Sequence, residues 1–238
     1  MELSSDFKTF LSDIRFTDAQ RRELRDGHAR LRKRLSEDRD LAPLLVSDFL
    51  QGSYRRHTAV RPKNGCRADV DVVVVTRLAE SEYTPAEAMD LFVPFLKEHY
   101  KGKWQRQGRS LGIELSAIDF DLVITSAPAE SQIGILESDA VTTDDDIVEA
   151  TDWRLHRSWI ALGARSARTD AAVLLAEAKN QPEWQNQPLR IPDRDADQWD
   201  DTDPLEQIQR TREKNKLTDG HFVNVVKSVK WWRLVNYE

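Results

Sequence analysis

Asp69 and Asp71 stand one residue apart at the head of an apolar run, ADVDVVVVT, that ends at Thr76. In a strand, residues i and i+2 project from the same face about 6 to 7 Å apart. The two carboxylates therefore point together while Val70, Val72 and Val74 anchor the opposite side. Such a pair suits hard, oxygen-preferring cations, because magnesium takes one or two carboxylates per ion and completes its shell with water and phosphate oxygens. Upstream, Gly52 and Ser53 follow the apolar stretch 44–51. That order reads as strand, tight turn and helix start, where unsatisfied N–H donors and the helix dipole favour a phosphate. Arg55, Arg56, Arg61, Lys63 and Arg67 lie between Gly52 and Asp69 with no acid among them. This positive patch is the size of a small polyphosphate. Downstream, IDFDLVIT repeats the alternation, so Asp119 and Asp121 share a face and either can supply a third carboxylate. An isolated Asp-x-Asp is a weak signal; joined to a Gly-Ser corner and a second acidic strand, it predicts a site for a nucleoside triphosphate and two divalent ions.

These residues need rigid elements beneath them. Residues 1–40 read as helical, with Leu24, His28, Leu31 and Leu35 at helical spacing and Asp18 able to cap after Thr17. The stretch 61–66 contains Pro62, Asn64 and Gly65 and is read as a turn before the acidic strand. Thr84-Pro85 with Glu87 starts a helix that runs to about Tyr100, kinked or shortened by Pro94. Residues 104–124 read as two strands, or one long bent strand with Gly108 and Gly112 as bulges. An acidic loop is expected over 127–152 and a helix over 151–179 with Trp153, Trp159, Leu162, Val173 and Leu174 as core candidates. The Pro-, Gln- and Asp-rich 180–203 reads as an ordered loop or linker. Two helices follow, 204–216 and 221–237, the second apolar through Phe222, Val225, Val226, Val229 and Trp232. Its pattern is still running at Glu238 without a Gly or Pro to stop it, which predicts an incomplete C-terminal lobe.

The 238 residues are 39% hydrophobic and 32% charged, a globular composition that suggests one large domain or two lobes. We place a division at 150/151. The longest aliphatic run, Val72 to Val75, is far shorter than the roughly 18 residues of a membrane span. A single cysteine, Cys66, excludes an internal disulfide and fits a reducing cytoplasm. The net charge of −6 argues against a long nucleic-acid partner. Asp193, Asp195 and Asp197 imitate a calcium loop, but Gln198 stands where Gly is required and Pro204 where Glu is required. Neither a zinc-ligand spacing nor a GxxxxGK[ST] loop occurs.

Gly52-Ser53-Tyr54-Arg55-Arg56, Thr58, Ala68-Asp69-Val70-Asp71 and Phe120-Asp121-Leu122-Val123 together resemble the DNA-polymerase-β-like nucleotidyltransferases, and within them the bacterial cGAS/DncV-like (CD-NTase) group. Ile191-Pro192-Asp193, Trp199, Asp203-Pro204 and Val225-Val226 leading to Lys230-Trp231-Trp232 are also similar to that group. The resemblance implies an α+β palm with a mixed sheet, a long N-terminal helix behind it and a helical C-terminal lobe facing it. It implies that Gly52 and Ser53 contact the β- and γ-phosphates, with Arg55 and Lys230 also on the nucleotide. Asp69 and Asp71 would hold two Mg2+ ions, with Mn2+ able to substitute, and Asp121 the catalytic one. Asp121 is preferred to Asp119 because family members follow this aspartate with two apolar residues, as Leu122 and Val123 do. The implied activity joins nucleoside triphosphates, ATP among them, into a cyclic di- or trinucleotide in antiphage (CBASS) signalling, with accessory proteins as partners. A linear oligonucleotide or tRNA-end polymerase, a transferase acting on a protein or small molecule, and a silent binding module would share the same residues.

Overall fold

A computed structural model describes residues 5–63, 65–128 and 188–237. The helix expected over 1–40 is two, α1 (Ser5–Asp13) and α2 (Asp18–Glu37). The break falls at Thr17, whose extended backbone cannot continue a helix and whose hydroxyl accepts from the Gln20 N–H. Gln20 answers by accepting from the Thr17 N–H, so the cap is Thr17 with a reciprocal capping box, and Asp18 is the first helical residue. Leu24, His28, Leu31 and Leu35 are the buried face of α2, as their spacing requires.

After a single 3-10 turn come β1 (Leu45–Gln51), the one-turn helix α3 (Gly52–Arg55) and β2 (Ala68–Thr76). The segment 85–100 splits into α4 (Pro85–Asp90) and α5 (Val93–His99), with Pro94 in the first turn of α5. In place of two strands there are three: β3 (Trp104–Arg106), β4 (Leu111–Glu114) and β5 (Ile118–Thr125). The chain folds back twice, at a turn closed by Gln107 N–H donating to Ser110 O and at one closed by Leu115 N–H donating to Ile118 O. Gly108 and Gly112 accordingly serve a turn and a hairpin arm, not bulges. The strands form one mixed sheet in the order β1-β2-β5-β4-β3. Only β2 and β5 are parallel, joined by the crossover through α4, α5, β3 and β4.

One face of the sheet is apolar and closed by α2: Val70, Val72, Val74, Phe120, Leu122 and Ile124 pack with Leu24, Leu31 and Leu35. On the other, Val73 and Val75 meet Phe49, Leu189 and Leu205. Because alternation is strict, that second face also carries Asp69 and Asp71. The expected linker over 180–203 contains a hairpin, β6 (Leu189–Asp193) paired with β7 (Gln198–Thr202). Its polar composition is consistent with the pairing, since Arg190 reaches Glu80 and Asp201, and the Trp199 indole donates to Tyr83 O.

Two helices, α6 (Pro204–Leu217) and α7 (His221–Asn236), complete the described part, separated by Gly220 at φ 85°. The face of α7 that is buried runs through Val223, Asn224 and Lys227. Val225, Val229 and Trp232, part of the apolar pattern read in this helix, are exposed. The acidic loop and helix expected over 127–179, with their core candidates, fall almost wholly outside the described residues, as does the 150/151 division. No helix among the described residues is long and apolar enough to cross a membrane.

Candidate active site

The parallel register sets Asp69 opposite Asp119 and Asp71 opposite Asp121. Neighbouring strands lie about 4.8 Å apart, so four carboxylates share a small area of one sheet face. Arg67 removes one of them from the group: its Nε is 2.5 Å from Asp119 and its Nη2 2.8 Å from Glu114. The other three remain together, Asp69, Asp71 and Asp121 each offering an oxygen within 4.8 Å of the rest. Arg67, counted in the sequence among phosphate-binding cations, is thus engaged with acids at the rim.

Crowding like charges on a partly dehydrated surface makes each harder to ionise. The Asp69 carboxyl, although its outer edge meets solvent, is pushed up to about 7, by desolvation first and then by Asp71, Asp121 and Asp119. Desolvation and Asp121 raise Asp71, against the opposing charges of Arg56 and Lys230. Asp121 is raised by desolvation and partly relieved by hydrogen bonds with Gln107 and Ser110. Three oxygen donors held in one place against their own repulsion are what a hard divalent cation relieves, so the donor set fits magnesium or manganese.

The glycine–serine corner lies directly against this cluster. Gly52 has φ 69°, and a Cβ built on it would run into the Asp71 carboxylate, so only glycine lets the chain pass. Beyond it, the Ser53 carbonyl accepts from Thr58 N–H at 2.9 Å and Ala59 N–H at 3.0 Å, locking the corner. Tyr54 packs between Phe16 and His28 with centroid distances of 6.5 and 5.8 Å, tying the corner to α2.

The two arginines that follow take different roles. Arg55 is buried, and with Ile208, Thr211, Asn215 and Val223 it lines a small cleft under α6 and α7. The charge of Arg56 acts on Asp71 and Lys230, and its guanidinium donates to Gln207 at 2.7 Å. Lys230, on α7, is close enough to Asp69 and Asp71 to feel both; burial and Arg56 push its ammonium down while the two aspartates support it. One turn earlier Lys227 is only 1% exposed, and burial with Arg15, Arg21 and Lys230 drives its pKa well down.

Sequence reasoning counted Arg56 in the basic patch but chose Arg55 for the nucleotide, and it missed Gln107 and Ser110 beside the acids. Arg55 is the last residue of α3 and Arg56 follows it outside the helix, and nothing local says which of the two faces the cluster. Gln107 and Ser110 reach Asp121 only because β4 folds back beside β5.

A family model described as "Second Messenger Oligonucleotide or Dinucleotide Synthetase domain" matches residues 1–131. Over its whole length the chain is 47% identical to a curated protein of Enterobacter hormaechei subsp. hoffmannii named cyclic AMP-AMP-GMP synthase, and spans 63% of that protein. Among solved structures it is similar to E. coli MS115-1 CdnC determined with ATP, at 13% identity and a TM-score of 0.58, covering 98% of this chain and 58% of that one. It is similar too to the Rhodothermus marinus CdnE c-UMP-AMP synthase, at 14% identity and a TM-score of 0.55, covering 100% of this chain and 70% of that one. At such identities the structures establish the fold alone, a mixed sheet backed by helices.

Proposed function

The chain belongs to the Second Messenger Oligonucleotide or Dinucleotide Synthetase (SMODS) family, and from that premise we propose that it is a nucleotidyltransferase joining nucleoside triphosphates into a cyclic oligonucleotide messenger. The observation that carries the reading is the convergence of three carboxylates, from two strands, beside a corner that tolerates no side chain.

Asp69 and Asp71 would hold two magnesium ions and Asp121 would complete the one nearer the acceptor. When bound, the ions supply charge neutralisation on the triphosphate and a lowered pKa for the attacking hydroxyl. The residues of the chain do the rest. Gly52 and Ser53 present backbone to the β- and γ-phosphates, and Arg56 and Lys230 add positive charge on the side of the leaving group. Arg55, buried behind them, supports the corner instead of meeting the nucleotide directly. Asp121 stands opposite Asp71 to receive the proton of a ribose hydroxyl. The hydroxyl oxygen then forms a bond to the α-phosphorus, the α–β bridging P–O bond breaks, and pyrophosphate leaves in line. Positioning and electrostatics carry the rate. A second transfer closes a dinucleotide ring, and a third closes a trinucleotide ring. The relative named cyclic AMP-AMP-GMP synthase supports ATP and GTP as the substrates.

The test is incubation of the full-length protein with ATP, GTP, CTP and UTP, singly and in pairs, with Mg2+, followed by mass spectrometry before and after phosphatase. We expect a phosphatase-resistant oligonucleotide containing A and G, absent in folded Asp69→Ala and Asp71→Ala. Undiminished product in those variants removes the metal assignment, and a phosphatase-sensitive ladder replaces the cyclase with a linear polymerase.

A further inference from the structure

The turn between β3 and β4 carries Gln107 and Ser110 beside Asp121, and it is braced from two directions. Within the turn, Gln107 N–H donates to Ser110 O at 2.9 Å, and the Ser110 hydroxyl donates to Gln107 Oε1 at 2.6 Å. With its oxygen so occupied, the Gln107 carboxamide turns its NH2 across β4, over the glycine paired with Asp121, and it lowers the pKa of that acid. The path crosses Gly112, which sits directly opposite Asp121 in the β4–β5 register. A Cβ on Gly112 would stand 2.5 Å from Gln107 Nε2 and 3.3 Å from its Cδ. The missing side chain at 112 is therefore the channel through which Gln107 reaches the acid.

From the other side, the C-terminal hairpin pins the same turn. Arg109 donates to Asp193 at 2.9 Å and to Asp200 at 2.6 Å, and the Arg194 N–H donates to Gly108 O at 2.9 Å. Each exposed ion pair alone is worth little. Two carboxylates on one guanidinium plus a backbone bond fix where the turn lies relative to β5.

We propose that Gln107 is the positioning residue for the third carboxylate of the metal site, lying over Gly112 and oriented by Ser110, with the β6–β7 hairpin as its outer support. Asp121 comes from a strand different from that of Asp69 and Asp71, and its side chain has to be turned toward theirs. An amide N–H lying over Gly112, the residue paired with Asp121, is placed to steady that carboxylate. This rests on the metal-site reading above. Outer partners of metal-binding carboxylates typically contribute about 10- to 100-fold to metal affinity or activity.

The experiment measures Mn2+ affinity of the full chain by electron paramagnetic resonance, with a non-hydrolysable ATP analogue present, for the unsubstituted protein, Gln107→Ala, Gly112→Ala and the double variant. We expect each single variant to weaken Mn2+ binding about 10- to 100-fold while the thermal melt of Gln107→Ala stays unchanged. The double variant should be no weaker than Gly112→Ala alone, because both changes remove one contact. Losses that multiply in the double variant, or Mn2+ affinity unaffected in Gln107→Ala, overturn the positioning role and leave the metal site standing. Failure of the unsubstituted chain to bind Mn2+ overturns both. Should Gln107→Ala lose its fold, Gly112→Ala decides alone: unweakened Mn2+ binding there overturns the role, and a loss with the fold retained supports it.

Discussion

Gly52 and Asp71 constrain each other so closely that either identity implies the other. The positive φ of Gly52 costs a non-glycine residue roughly 1–2 kcal/mol, and the Asp71 carboxylate fills the space where a Cβ would go. Gly52→Ala is therefore expected to destabilise by at least about 1–2 kcal/mol and to abolish turnover by displacing Asp71. A melting curve and a pyrophosphate-release assay separate the two effects; a variant as stable and as active as the parent would show that the corner is not held as described. The acidic cluster was legible in the sequence down to its three members, since the alternation that pairs Asp69 with Asp71 also offers Asp121. What alternation left open was Asp119 against Asp121. Arg67 decides it, through an ion pair spanning 52 positions of chain that no local pattern contains.

Helical periodicity and the cap at Thr84 were readable, while the break and cap at Thr17 and the returns of the chain were not. Helix α2 shows the contrast between cap and core energies. Thr17 closes the N-terminus through a side-chain bond near the surface, and Thr17→Ala should cost about 1 kcal/mol. Phe120, wholly buried on β5 beneath α2, should cost about 3–5 kcal/mol when cut to alanine. Denaturant titration of both variants checks the ranking, and an equal or reversed order would mean that the sheet–helix interface is not the main core. The return between β4 and β5 and the hairpin β6–β7 escaped sequence reading because the strands involved are short and, in QWDDT, polar. A strand of that kind earns its place by cross-strand and long-range partners, such as Arg109 with Asp200 or Trp199 with Tyr83. Likewise, the valines of α7 suggested a buried face, but the helix docks through Val223, Asn224 and Lys227, where Arg15 donates to Asn224 at 3.0 Å.

Stability of the assembled protein is linked to the charge state of its cleft. The Asp69 carboxyl lies near 7 in the folded chain and at 3.8 when free of its neighbours. Between those values the folded form keeps a proton that the unfolded form has released. Stability from this group is thus complete below about pH 4 and is lost as the pH rises toward 7 and past it. Metal-free protein should accordingly show a melting temperature that falls from pH 5 to pH 7.5, with the fall flattened in Asp69→Asn. Excess Mg2+ with a triphosphate should reverse the fall, because the cation favours the ionised carboxylates, and its binding should release protons below about pH 7. Thermal melts across that range, and calorimetry in buffers of different ionisation enthalpy, test the linkage. A melting temperature that rises with pH in the metal-free protein would contradict it.

The kinds of residue and the short periods along the chain were enough to point to the chemistry proposed for this site: paired aspartates on a valine strand, a glycine–serine corner, and a second acidic strand to meet them. Those features are local, because strand alternation and backbone freedom at glycine are settled within a few residues. Which arginine's charge acts on Asp71, which of two aspartates joins the cluster, and which glutamine lies beside it follow from β2 lying parallel to β5, β4 folding back along β5, and α6 and α7 packing over the corner. Contacts between distant segments depend on how the layers close. A side chain acquires that role only when the folded chain brings its partner within reach.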